Sequence, residues 1–176
     1  MKLKATVEQT PVYCANRMYN TPGTYTYNIV QAGNYLITLV GGGGGAAYTD
    51  GGLDSYSDTA WAHHYGKNGA GAGHFEGLAK LTPGTLQITV GSVGTNCAGK
   101  DVSSGNGQDS FIIFTPENQQ PIEIARAYGG LSGYPSGSSY NISIPGSGVW
   151  YNELYFDKVY VARVGEDSTL RWYVKR

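Results

Sequence analysis

The stretch YLITLVGGGGGAA, residues 35–47, joins an alternating run of aliphatic and β-branched residues directly to five glycines. Alternation over several residues is typical of a β-strand, in which successive side chains point to opposite faces. Both faces of this run are apolar, so we predict a central strand. A glycine loop after a strand has two interpretations: a cradle for nucleotide phosphate, or a tight backbone turn in an all-β module.

The residues after the glycines do not suit phosphate binding. Residues 41–46 formally match the pattern G-x-G-x-x-G/A, which binds pyrophosphate because a helix N-terminus comes next. Here the next segment, AYTDGGLDSYSDT at residues 47–59, contains two further glycines and several turn formers, and no Gly-Lys-Ser/Thr is present after it. We therefore predict no cofactor. We expect a structural turn, where a buried strand opens into exposed loops, formed by Gly41, Gly42, Gly43, Gly44 and Gly45.

The rest of the chain indicates an all-β fold. The sequence TPGT occurs at residues 21–24 and again at 82–85, and a strand-like run ending in Val-Gly comes after each copy. HFEGLAKL at residues 74–81 alternates like a further strand, and residues 53–73 have room for one helical turn. Several short strands separated by turn signals predict an antiparallel β-sandwich, jelly-roll-like, with long glycine-rich loops. We assign residues 21–176 to this domain and residues 1–20 to an N-terminal arm for docking or oligomerisation.

Composition restricts the partners. Charged residues make up 14% of the chain, the net charge is −1, and the cations are scattered, which argues against a nucleic-acid surface. No apolar run approaches the ~20 residues needed to span a bilayer. Residues 1–11 lack the apolar region of a signal peptide, so we expect no secretory route. Two cysteines, Cys14 and Cys97, do not make a disulfide framework; we expect two free thiols, with a single bridge between them as the alternative.

Catalytic and metal signatures are weak. The three histidines, His63, His64 and His74, lack ligand spacing, and adjacent histidines on a strand point to opposite sides. No nucleophile elbow of the type G-x-S-x-G occurs. A carboxylate pair assembled by the fold, as in a glycosidase, remains an alternative. We predict no metal and no enzymatic activity.

Aromatic residues in or beside the glycine-rich segments are the best binding candidates. Tyrosine and tryptophan give large, stiff contact areas with a polar tip, and glycine and serine supply adaptable backbone around them. Such a set suits a receptor or glycan; alternatively, the rings pack on their own loops or on a neighbouring subunit. The candidate ligand-binding residues are Tyr48, Tyr56, Trp61, His63, His64, Tyr65, Tyr128 and Tyr134.

The order of these motifs supports a family comparison. NTPGTYTYNIVQAGNYLITLVGGGGGAA, AGAGHFEGLAKLTPGTLQITVGSVG, GNGQDSFIIF and IEIARAYGG succeed one another between about Asn20 and Gly130. This order resembles the glycine-rich domain of bacteriophage tail-fibre, adhesin and other virion-surface proteins. The chain is similar over that range only, and the middle segment, residues 49–67, is longer and more aromatic than a glycine repeat.

The resemblance implies a structural protein on a phage virion, of tail-fibre, tail-tip or head-fibre type. It implies synthesis in the host cytoplasm, a homo-oligomer (most often a trimer), docking to other virion proteins, and contact with a host-surface glycan or protein through loops. Two alternatives stay open: a capsid decoration or connector protein with no receptor role, and a small carbohydrate-binding protein or glycosidase.

Overall fold

The computed structural model describes residues 16–47, 62–67, 69–96, 104–133, 146–165 and 170–175. Ten strands and one short 3-10 helix lie in these ranges. The strands are β1 (Gly23–Ile29), β2 (Gly33–Val40), β3 (Ala62–Lys67), β4 (His74–Leu81), β5 (Gly84–Val90), β6 (Ser110–Pro116), β7 (Ile122–Ala127), β8 (Val149–Tyr151), β9 (Phe156–Arg163) and β10 (Leu170–Lys175). The 3-10 helix (Glu153–Tyr155) connects β8 to β9.

Two antiparallel sheets form the sandwich. One has five strands in the order β1-β5-β6-β7-β8, and the other has three in the order β2-β4-β9. A separate antiparallel pair joins β10 to β3, with Trp172 opposite Tyr65. The antiparallel all-β sandwich predicted from the sequence is confirmed; the finer jelly-roll comparison stays a prediction.

The core lies between the two sheets. Because every second side chain of a strand points to the same face, each strand turns one set of side chains into this core. In β4 the inward residues Phe75, Ala79 and Leu81 are at most 1% exposed. Phe75 meets Phe156 edge to face, with ring centroids 4.9 Å apart, and lies 5.2 Å from the Tyr151 ring. Burial of such aromatic and aliphatic side chains, each contributing about 1.5–3 kcal/mol, is the main force that holds the two sheets together.

The repeated TPGT sequence is a repeated local structure. In both copies the glycine after proline has a positive φ, +150° at Gly23 and +159° at Gly84, and each begins a strand. Only glycine adopts this conformation without strain. The strands that these glycines begin, β1 and β5, pair with each other, so that Gly23 lies opposite Val90 and Ile29 opposite Gly84.

The position of β2 differs from the prediction of a central strand. Among the described residues β2 pairs only with β4, at the edge of the three-stranded sheet. Its inward residues Ile37 and Leu39 are buried, whereas the outward residues Leu36 and Val40 are 60% and 57% exposed. The apolar outer face of β2, from which we predicted burial on both sides, is therefore exposed to solvent.

The middle of the chain also differs from the prediction. Within the stretch expected to have room for a helical turn, residues 62–67 form β3. Residues 69–73 of that stretch form no helix, and residues 53–61 and 68 lie outside the described residues, as do the cysteine predictions at Cys14 and Cys97.

Candidate functional site

The five glycines form the centre of a packed backbone bundle. The N–H groups of Gly41 and Gly44 donate to the carbonyl oxygens of Gly73 and Ala70, both at 3.1 Å. Those of Gly42 and Gly45 donate to Gln108 and Gly105, at 2.9 and 3.0 Å. Residues three apart thus contact the same neighbouring segment, which is the period of an extended helix with three residues per turn and no internal hydrogen bonds.

The neighbouring segments bond to one another in the same way. Gly130 and Gly133 donate to the carbonyl oxygens of Gly42 and Gly45, again three residues apart. Residues 104–109 bond to 91–96, and residues 69–73 bond to 128–133. We call this assembly the glycine bundle; it consists of residues 41–47, 69–73, 91–96, 104–109, 128–133, 146–148 and 164–165.

Strand connectivity explains why these segments meet. Every segment of the glycine bundle directly precedes or succeeds one of the strands β2 and β4 to β9. Because neighbouring strands in both sheets are antiparallel, their ends that run into glycine lie at the same end of the sandwich. The bundle therefore extends the sandwich beyond its sheets at one end.

Glycine is required here for close approach. A Cβ atom built on Gly42 would collide with the carbonyl oxygen of Ser92, and one built on Gly45 would collide with that of Thr95. The same reason restricts the axis of collagen to glycine. Gly41, Gly42 and Gly45 are buried and pack against other backbone segments, and the expected opening into exposed loops stays a prediction because residues 48–61 lie outside the described ranges. Their N–H groups bond to carbonyls and are not available to cradle a phosphate.

Side chains cap the end of the bundle far from the sheets. Asn96 Oδ1 accepts from the N–H of Ala46 at 2.9 Å, and the buried Ser104 hydroxyl donates to the carbonyl of Gly133. Asn106 Oδ1 accepts from the N–H of Ser132 at 2.7 Å. The described ranges that end at residues 47, 96 and 133 stop at this end. We call this the distal end.

The predicted binding residues distribute unevenly over the described chain. Tyr128 comes directly after β7, at the start of a bundle segment, and is 41% exposed. His63, His64 and Tyr65 lie on β3, opposite Val174, Tyr173 and Trp172 of β10. The other four predictions lie outside the described residues: Tyr48, Tyr56, Trp61 and Tyr134.

The bundle itself has an apolar exposed surface. Val93 is 73% exposed, Leu131 is 41% exposed and Val164 is 65% exposed, and all three belong to bundle segments. Sequence reasoning did not select them, because isolated aliphatic residues between glycines have no periodicity. Like Tyr128, they are exposed residues of the bundle segments.

A polar cluster connects the five-stranded sheet to the bundle. The Arg126 guanidinium donates to both carboxylate oxygens of Glu123, at 2.7 and 2.6 Å, and to Asp109 Oδ2 at 2.7 Å. Asp109 Oδ1 accepts from the N–H of Gly129 at 2.9 Å. The guanidinium also lies 4.4 Å from the centroid of the Phe111 ring. Hydrogen bonds to Glu123, and secondarily to Asp109, raise the pKa of Arg126, so it stays charged.

This cluster has no signature in the sequence because its members belong to separate segments. Asp109 precedes β6, whereas Glu123 and Arg126 lie on β7. Because the Arg126 guanidinium is already hydrogen-bonded to both carboxylates, the cluster fixes the geometry of the sheet and does not present an unpaired charge for binding. Among the described residues no group of three or more His, Cys, Asp and Glu could hold a metal ion.

No helix within the described ranges is long and apolar enough to cross a membrane. No family model, curated protein or solved structure matches the chain.

Proposed function

We propose that this chain is a non-enzymatic structural protein of a bacteriophage virion surface, of tail-fibre, tail-tip or head-fibre type. In this proposal it binds a host-surface glycan or protein through the segments that leave the distal end of the glycine bundle. Residues 1–20 dock it to other virion proteins, and the chain acts as part of a homo-oligomer.

The observation that carries the proposal is the glycine bundle. It extends the sandwich at one end, and the described ranges that end at residues 47, 96 and 133 stop there. A backbone bundle without bulky side chains is a rigid support, because its N–H and carbonyl groups are paired between segments. Residues beyond such a support can be substituted with little loss of stability in the sandwich core.

The chemistry of the departing segments supports the same role. Four of the aromatic candidates, Tyr48, Tyr56, Trp61 and Tyr134, occur in sequence between bundle segments. Tyr128, half-exposed on the bundle, is the described member of the set. Tyrosine and tryptophan are the residues that most often dominate binding energy at interfaces.

The test is binding of the purified chain to host cells and to an array of bacterial glycans. We expect Trp61→Ala and Tyr65→Ala each to weaken binding by roughly tenfold or more, since an aromatic anchor contributes more than about 1.4 kcal/mol. Tyr160→Ala is the matched control, because Tyr160 is 49% exposed but lies on β9 of the sandwich.

Two results would contradict the proposal. An equal loss of binding in the Tyr160→Ala variant would show that the distal end is not the binding region. Electron microscopy of intact particles carrying labelled chain is the second measurement, and absence of label from the particle surface would exclude a virion role.

A further inference from the structure

The outer edge of β2 lacks the protection that two other strand edges of this sandwich, β8 and β9, have. An exposed strand edge offers unpaired N–H and carbonyl groups, and monomeric proteins usually blunt it with charges, bulges or short length. β9, the opposite edge of the same sheet, carries Asp157, Lys158 and Arg163, and its pairing with β4 has two register irregularities. β8, an edge of the other sheet, has only three residues.

β2 has none of these features. It is eight residues long, contains no proline and no charged residue, and its pairing with β4 is regular from Gly33 to Val40. The surrounding sequence is equally neutral: between Arg17 and Asp50 no charged residue and no histidine occurs. A long, regular and apolar edge of this kind is a template for pairing with another strand.

The exposed side chains distinguish β2 from β1, the neutral edge of the other sheet. The outward residues of β1 that are exposed, Thr24, Thr26 and Asn28, are polar. On β2, Leu36 and Val40 project outward and are 60% and 57% exposed, with the exposed Thr38 midway between them. Of the four edge strands of the two sandwich sheets, β1, β2, β8 and β9, only β2 therefore combines a long uncharged edge with exposed apolar side chains that gain from burial.

We propose that β2 pairs antiparallel with β2 of a second copy of this chain, about a two-fold axis at Thr38. This register places Leu36 of each copy opposite Val40 of the other and Thr38 opposite itself. The two three-stranded sheets then form one continuous sheet across the interface. A neutral edge favours self-association because identical copies bring no like charges together.

A second copy fits this edge better than a different protein does. The spacing of Leu36 and Val40 about Thr38 is self-complementary under a two-fold rotation, so one surface supplies both halves of the interface. A two-fold pairing is also closed, since it uses each β2 edge once. The inference stands independently of the proposed virion role.

The first experiment measures the mass of the full chain by light scattering across a dilution series. We expect twice the 18.8 kDa mass of one chain, and the single-chain mass for Thr38→Lys, which puts two ammonium groups opposite each other at the axis. Gln87→Lys, an exposed change on the central strand β5, adds the same charge and is expected to stay dimeric. Circular dichroism establishes that both variants fold.

The second experiment tests the register by oxidation. Directly opposite Cβ atoms are about 4.5–5.5 Å apart, close to the range of a disulfide, so Thr38→Cys is expected to cross-link two chains. Asn34→Cys is the control on the same strand, because the two copies of residue 34 would be about 27 Å apart. The parent chain, with Cys14 and Cys97, gives the background.

Three results would overturn the proposal. The first is a monomeric parent chain, including the case in which residues 1–15 occupy the edge within one chain. The second is a mass of three chains, as the family resemblance implies, and the third is cross-linking at residue 34 equal to that at residue 38.

Discussion

At the scale of single residues, neighbouring glycines in one run have different roles. A Cβ built on Gly42 would collide with the backbone of Ser92, whereas nothing lies within 4 Å of a Cβ built on Gly43. The sequence presents the five glycines as equivalent. Their differences arise from the segments packed around them. With three residues per turn, successive glycines of the central segment face different neighbouring segments.

This difference gives a prediction within two adjacent positions. Gly42→Ala is expected to lower the free energy of unfolding by about 3 kcal/mol, at the upper end of overpacking costs, because backbone has to move. Gly43→Ala is expected to be neutral or to stabilise by up to about 1 kcal/mol, since it restricts the unfolded chain. Urea denaturation of the two variants measures both values. Equal losses would show that the glycines act through flexibility alone.

At the scale of elements, the sheet and the bundle are joined by side chains as well as by the chain itself. Asp109 bonds to Arg126 on β7 and to the N–H of Gly129 in the bundle. The cluster is about one-quarter to one-third exposed, so its energy is reduced by solvent but not removed. It holds β7 in the position from which the bundle segment 128–133 begins.

The fork geometry of this contact is testable with a charge-conserving change. Arg126→Lys keeps the positive charge but cannot make the paired hydrogen bonds to Glu123, so we expect a loss of about 1–2 kcal/mol in unfolding free energy. Arg163→Lys, on the exposed end of β9, is the control and is expected to change stability by less than about 0.5 kcal/mol. Thermal and urea unfolding check the pair. Equal changes in unfolding free energy for the two variants would show that the paired hydrogen bonds of Arg126 add no stability beyond its charge.

At the scale of the whole molecule, a large part of the fold is held by hydrogen bonds outside sheets. Backbone bonds between bundle segments continue the ladders of both sheets past the strand ends. The apolar core between the sheets, centred on Phe75 and Phe114, ends where these glycine segments begin. The bundle thus replaces side-chain packing with backbone packing at this end of the molecule.

Hydrogen exchange distinguishes this arrangement from exposed loops. We expect the amides of Gly42, Gly45 and Gly130 to be protected to an extent comparable with the strands, because each donates to a carbonyl within the bundle. The exposed connection at residues 30–32 between β1 and β2 is the internal reference and is expected to exchange rapidly. Exchange of the three glycines as fast as this reference would contradict the bundle.

Much of the fold was accessible from the sequence because β-strands leave a local signal. Alternation in HFEGLAKL predicted β4, and a strand-like run was predicted after each copy of TPGT. The run at residues 35–40 predicted a strand but misplaced it at the centre of a sheet. Alternation within a strand shows which side chains share a face. The order of strands in a sheet depends instead on which strands pair with each other, and these are distant in sequence.

The amino-acid sequence alone was sufficient to establish an antiparallel all-β protein with glycine-rich connections. The three-dimensional arrangement was needed to show that the glycines between residues 41 and 45 form the centre of a bundle, and that Leu36 and Val40 lie on an open edge. Strand formation is encoded in neighbouring residues. Bundle packing and edge exposure depend on hydrogen bonds between segments far apart in the chain, and a glycine has no side chain to signal its partner.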